Sequence, residues 1–151
     1  MANTQAMCTS FKGELLVGHH NFGTGVTRGS TAADTFKAAL YLDTATVNAS
    51  TTAYSATNEV SGTGYTATGV TVTFGTAPST SGTTAFVTPS ASITYSGVTL
   101  STAFNAVLIY NSTQSNKAVS VHTFGSQTVT AGTFTLTMPT NDASTGLIRI
   151  A

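Results

Sequence analysis

Charge is what this sequence has least of. Five Lys and Arg and five Asp and Glu are spread over 151 residues, a charged fraction of 7%, where a soluble domain usually carries about a quarter. Catalysis needs titratable groups that converge in a pocket. Three His, one Cys and five carboxylates, with no pair at a spacing that declares a site, predict no enzyme, no cofactor and no resident metal. The basic residues Lys12, Arg28, Lys37, Lys117 and Arg149 are scattered, which excludes the clustered footprint of a nucleic-acid binder. Cys8 is the sole cysteine, so a disulfide-stapled scaffold is excluded and a small buried hydrophobe is expected there. Tryptophan is absent and no apolar run approaches a membrane span of about eighteen residues. The opening MANTQAMCTSFKGELL has no basic region followed by an apolar stretch, so the sequence predicts no signal peptide, no membrane and synthesis in the cytoplasm.

What is present is enough to fold. Hydrophobic residues make up 40% of the chain and the mean hydropathy is +0.17, opposite to the composition of disorder. A chain of this length can bury about 70% of the surface its unfolded form exposes. Thr, Ser, Gly and Ala dominate, and formal charge is balanced near pH 7. A neutral hydroxyl-rich surface needs no charges desolvated on contact and lacks the self-repulsion that separates monomers, so self-association or a large protein partner is expected.

The pattern divides the chain into an N-terminal helix and arm over 1–30 and a β-sandwich over 31–151. Met7, Phe11 and Leu15 recur at helical spacing within 4–17, and Gly18 stops the run. The stretch GHHNFGTGVTRGSTAADT then reads as an extended arm. From Asp34 the period becomes two. Strands are predicted at 36–43, 70–74, 83–88, 91–97, 103–111, 117–125, 133–139 and 147–151, with 103–111 central and 117–125 its hairpin partner. Short strands divided by Gly, Pro, Asn and Ser turns, with Thr on solvent faces, indicate an all-β antiparallel sandwich, jelly-roll-like.

Few residues invite a chemical reading. His19 and His20 are adjacent, point to opposite sides of an extended chain and lack further ligands, so they read as loop histidines. His122 alternates with Val119 and Val121 and is expected on the solvent or interface side. The glycines of GTGVTRG lack the Lys-Ser/Thr ending and flanking elements of a phosphate loop. No Ser sits in a nucleophile elbow. Glu59 beside Asn58 is too poor in oxygens for a hard cation and is expected to pin its loop by one contact, to Arg28 or Arg149. Asn48 and Asn111 match the glycosylation sequon but read as turn residues.

The runs CTSFKGELLVGHHNF, FKAALYLDTATV, TTAYSATNEVSGTGYTATG, AVLIYNSTQSNKAVSVHTFG and AGTFTLTMPTNDASTGLIRIA span almost the whole chain. Together they resemble a widespread small structural protein of tailed bacteriophages. The resemblance is most specific in T-x-Y-x-x-x-N-E-V-x-G-x-G-Y at 52–65 and in the LIYN-S-T-x-S-N-K-A block at 108–118. It implies a virion protein similar to capsid decoration or cement proteins, which bind the outer surface of the major capsid protein lattice, commonly as trimers. Partners are then the major capsid protein and further copies of the chain. Met7, Phe11, Leu15, His19, His20 and Phe22, in the segment least able to fold alone, are the expected interface residues. The competing expectation is a tail, neck or head-fibre component with a host-binding or connector role, for which Tyr54, Tyr65 and Tyr95 are the available loop and strand aromatics.

Overall fold

The computed structural model describes residues 3–8, 11, 15, 19–20, 22–23 and 33–151. Among the described residues eight strands form two antiparallel sheets, an all-β fold consistent with the expected sandwich. The strands are β1 (Ala6–Met7), β2 (Phe36–Leu42), β3 (Val70–Val72), β4 (Ser79–Ser81), β5 (Thr84–Val87), β6 (Ile93–Asn111), β7 (Lys117–Leu136) and β8 (Ile148–Ile150). The larger sheet has the order β1-β7-β6-β2-β3 and the smaller β4-β5-β8. The apolar 103–111 run lies in the middle strand of the larger sheet, as its composition predicts.

The helix expected over 4–17 falls largely outside the described residues, and within that range Ala6–Met7 is a strand paired with Val121 and Ser120. Phe11 and Leu15 are helical, whereas at the start of the range Ala6 and Met7 find backbone partners on β7, and such pairing overrides weak propensity. The arm expected to follow is described only at His19, His20, Phe22 and Gly23.

The segments 91–97 and 103–111 are one 19-residue strand, and 117–125 and 133–139 are joined into a 20-residue partner ending at Leu136. Gly97, with φ of +65°, bulges the strand instead of ending it. The pairing shifts register four times between Tyr95 and Ala106. These irregularities fold the hairpin back on itself. Tyr95 precedes Ile109, the partner of Ala38, by fourteen residues, which in a straight strand is about 45 Å. Its hydroxyl nevertheless donates to the Ala38 carbonyl at 2.8 Å. The far half of the hairpin therefore lies across the near half and β2, and Tyr95, Val98, Leu100 and Phe104 are buried with Ala38 and Leu40.

A second aromatic cluster closes one end of the core. Phe22 stacks on Phe36 at 4.8 Å between centroids, both meet Phe74 edge-on at 5.0 Å, and Phe11 contacts Phe22 and His20. Edge-to-face pairs of this kind add to the burial of the rings themselves. Cys8 is fully buried, as expected of a small apolar side chain. No helix among the described residues is long and apolar enough to cross a membrane.

Candidate functional site

The sequence block at 52–65 builds the most highly connected polar cluster in the described structure. Glu59 Oε2 accepts the Tyr54 hydroxyl at 2.6 Å, and Oε1 accepts the Tyr65 hydroxyl and the Thr68 amide, both at 2.8 Å. The Tyr65 oxygen in turn accepts the Leu40 amide of β2 at 3.0 Å. Tyr110 donates to the Thr68 carbonyl, Lys37 Nζ donates to the Thr68 hydroxyl, and Tyr41 donates to the Ser55 carbonyl. Tyr54 stacks on Tyr110 at 4.8 Å and Tyr65 on Tyr95 at 5.9 Å. All five tyrosines of the chain thus surround one carboxylate. The single contact expected of Glu59 is replaced by three. Arg149 instead binds the carbonyls of Ala143 and Ser144, and Arg28 lies outside the described residues.

Electrostatics follow from that packing. Burial, aided by the Glu59 charge and opposed by the Ser55 backbone contact, pushes the Tyr41 phenol up to about 12. Tyr54, Tyr65, Tyr95 and Tyr110 are all raised, first by burial and with the Glu59 charge or hydrogen bond adding to it, while contacts to Leu40 and Thr68 lower Tyr65 and Tyr110 in part. These phenols stay protonated donors at any physiological pH. The arrangement is suited to clamping a loop.

The glycines of the block have a steric reason. A Cβ on Gly62 would lie 2.1 Å from the Thr99 carbonyl oxygen, and one on Gly64, whose φ is +77°, would lie 2.3 Å from that of Gly97. The loop lies directly on the backbone of β6, where Thr63 bridges to Thr99. Only a residue without Cβ permits that approach.

Other polar residues also hold loops. Asn111, fully buried, donates to Asp34 Oδ2 at 2.8 Å and lies 3.1 Å from His20 Nδ1, while its oxygen accepts the amides of Thr113 and Gln114. This is the turn role expected of it, and Asn48 does likewise for Ser50. Asp142 accepts from the amides and hydroxyls of Ser144 and Thr145, which hold its carboxyl far below the usual carboxylate range. Asp43 accepts the Ser126 hydroxyl at 2.6 Å.

His122, expected on the solvent or interface side, is not open to solvent in the chain itself. It does face away from Val119 and Val121, but that side is covered, and the ring is half-buried beside Gln5, Met7 and Leu147. Burial lowers its pKa to about 4, and Nε2 lies 2.9 Å from the Ser120 hydroxyl. Ser120 itself is buried and pairs with Met7 of β1.

The expected interface residues divide in two. Phe11, His20 and Phe22 are buried in this chain's own core, whereas Met7, Leu15 and His19 are half-buried. Phe11, Leu15 and Phe22 also border an apolar hollow of about 230 Å³, closed on the other side by Phe86, Ile148 and Ile150. An open cleft of about 480 Å³ lies over Tyr41, Asn48 and Asn58 and is otherwise lined mainly by Thr, Ser and Ala. Among the described residues no three His, Cys, Asp or Glu side chains come together as metal ligands.

The surface feature that sequence reading passed over is where charge is missing. Residues 60–116 and 118–141 contain no Asp, Glu, Lys or Arg. They take in β3 to β7 apart from Lys117, including the folded-back far half of the hairpin, whose outward side chains include Thr94, Ser96, Ser101, Thr128, Thr130, Thr133 and Thr135. No protein-family model, curated protein or solved structure matches the chain.

Proposed function

We propose that the protein is a structural component of a tailed-phage particle, a decoration or cement protein bound to the outer surface of the major capsid protein lattice and self-associating there. One observation carries the reading. The described carboxylates are engaged in fixing this chain's own structure, while the uncharged far half of the hairpin, rich in Thr and Ser, is turned outward. Such a surface meets another protein without the desolvation of charge. Contacts of modest strength, repeated by lattice symmetry, sum to a firm attachment. The sequence resemblance across 52–65 and 108–118 supplies the kind of particle. Because Phe11, His20 and Phe22 are used internally, the N-terminal contribution to that contact falls to Met7, Leu15 and His19.

Phage heads assembled without the protein should rupture at lower temperature, and purified protein added back should sediment with them and restore the loss. Unchanged head stability with no co-sedimentation contradicts the proposal. The open cleft over Tyr41, Asn48 and Asn58 favours a second reading, a tail, neck or head-fibre component that grips a host glycan by hydroxyl and amide contacts.

A further inference from the structure

Among the described residues the outer side of β7 is covered at its start, where Ala53 bridges Lys117 and the Ala118 amide reaches the Thr52 carbonyl, and is nearly bare from Thr123 on. β1 covers it only at Ser120 and Val121, with the Cys8 amide reaching the Val119 carbonyl. On the other side of that contact the chain leaves, since the Thr4 amide bonds Val47 instead. From Thr123 to Leu136 no described strand lies along that edge. Proteins usually blunt such an edge with Lys, Pro or a bulge. β7 has bulges, one of them at Ala131 with φ of +45°; within 132–136 the register shift between Tyr95 and Val98 puts the extra residue on β6, which advances three residues against the two from Phe134 to Gly132 on β7. That stretch, Gly-Thr-Phe-Thr-Leu, has neither charge nor proline.

We propose that 132–136 pairs antiparallel with the same five residues of a second copy, about a two-fold axis at Phe134, joining two large sheets edge to edge. The sequence is self-complementary in this register. Phe134 faces its own counterpart, Gly132 faces Leu136, and Thr133 faces Thr135. Residues directly opposite in a sheet share a face, so apolar side chains meet apolar ones and threonines meet threonines. Phe134 and Leu136 are only half-buried within one chain, and Thr133 and Thr135 are exposed on the other face. The intrachain core has left the apolar half of this edge uncovered, with Phe124 at 5.1 Å from Phe134 extending it. A charged partner would find no counter-charge on this edge, whereas a second copy meets no repulsion. The pairing does not depend on where the protein sits in a particle. It generates a dimer, not the trimer implied by the sequence resemblance.

The test is sedimentation equilibrium on the full chain and on two double variants, T133K/T135K and T133E/T135E. Both sites are exposed, so each variant should keep the wild-type circular dichroism and cooperative unfolding. In the paired state each variant brings four like charges together. Wild-type protein should sediment at twice the 15.3 kDa chain mass, each variant alone at half that value, and an equimolar mixture of the two variants at the wild-type value again. A wild-type monomer, a trimer, or a dimer that both variants retain overturns the proposal.

Discussion

The Glu59 carboxylate and the Tyr65 hydroxyl are joined at 2.8 Å, and the same Tyr65 oxygen accepts the Leu40 amide of β2. A loop residue and a central strand are thereby linked through one phenol. Removing the carboxylate leaves the Tyr54 and Tyr65 hydroxyls and the Thr68 amide without their acceptor. Glu59→Ala should destabilise the protein by roughly 2–3 kcal/mol, the range for stranded part-buried donors. At this chain length that lowers Tm by about 5–10 °C. Glu59→Gln keeps a carbonyl acceptor and should cost about 1 kcal/mol. Thermal unfolding followed by circular dichroism checks both values, and equal losses would refute the acceptor role.

Gly64 and Gly82 form a matched pair. Both have positive φ, +77° and +57°, but a Cβ on Gly64 would lie 2.3 Å from the Gly97 carbonyl oxygen and one on Gly82 meets nothing within 4 Å. Gly82→Ala should cost about 1 kcal/mol, the conformational term alone. Gly64→Ala must also lift the loop from β6 and should cost at least twice as much by denaturant unfolding. Equal costs would mean that the loop does not rest on the strand.

His122 sets an acid limit to stability. Its folded pKa of about 4 lies below the ordinary 6.5, so the unfolded chain binds the proton more readily between those values. Its contribution is complete above pH 6.5 and is lost as pH falls toward 4. The full depression corresponds to roughly 3 kcal/mol. In His122→Gln the slope of stability between pH 6.5 and 4 should flatten by that amount in urea titrations, and an unchanged slope would assign the acid sensitivity to other groups.

Much of the fold is legible in alternation. The predicted strand at 36–43 is observed at Phe36–Leu42, and the one at 70–74 at Val70–Val72. The joining of four predicted segments into two long strands was not legible, because Gly97 and the polar Ser101 and Thr102 look like a turn. A bulged hairpin that folds back supplies the same local composition with continued pairing. At the cluster, Tyr54 and Tyr65 flank Glu59 closely enough to suggest partners. Tyr41, Tyr95 and Tyr110 come from three other places on β2 and β6, and only topology brings them in. The burial of Phe11, His20 and Phe22 is illegible for a related reason: Phe36 and Phe74, which receive Phe22 and through it Phe11 and His20, are distant in sequence.

The proposed place on a capsid lattice is tested most directly by number. Quantitative mass spectrometry of purified virions, against the major capsid protein, should find this chain in a count comparable to the capsid subunits. A dozen copies or fewer would place it at the neck or tail, and absence from the particle would contradict a virion role altogether.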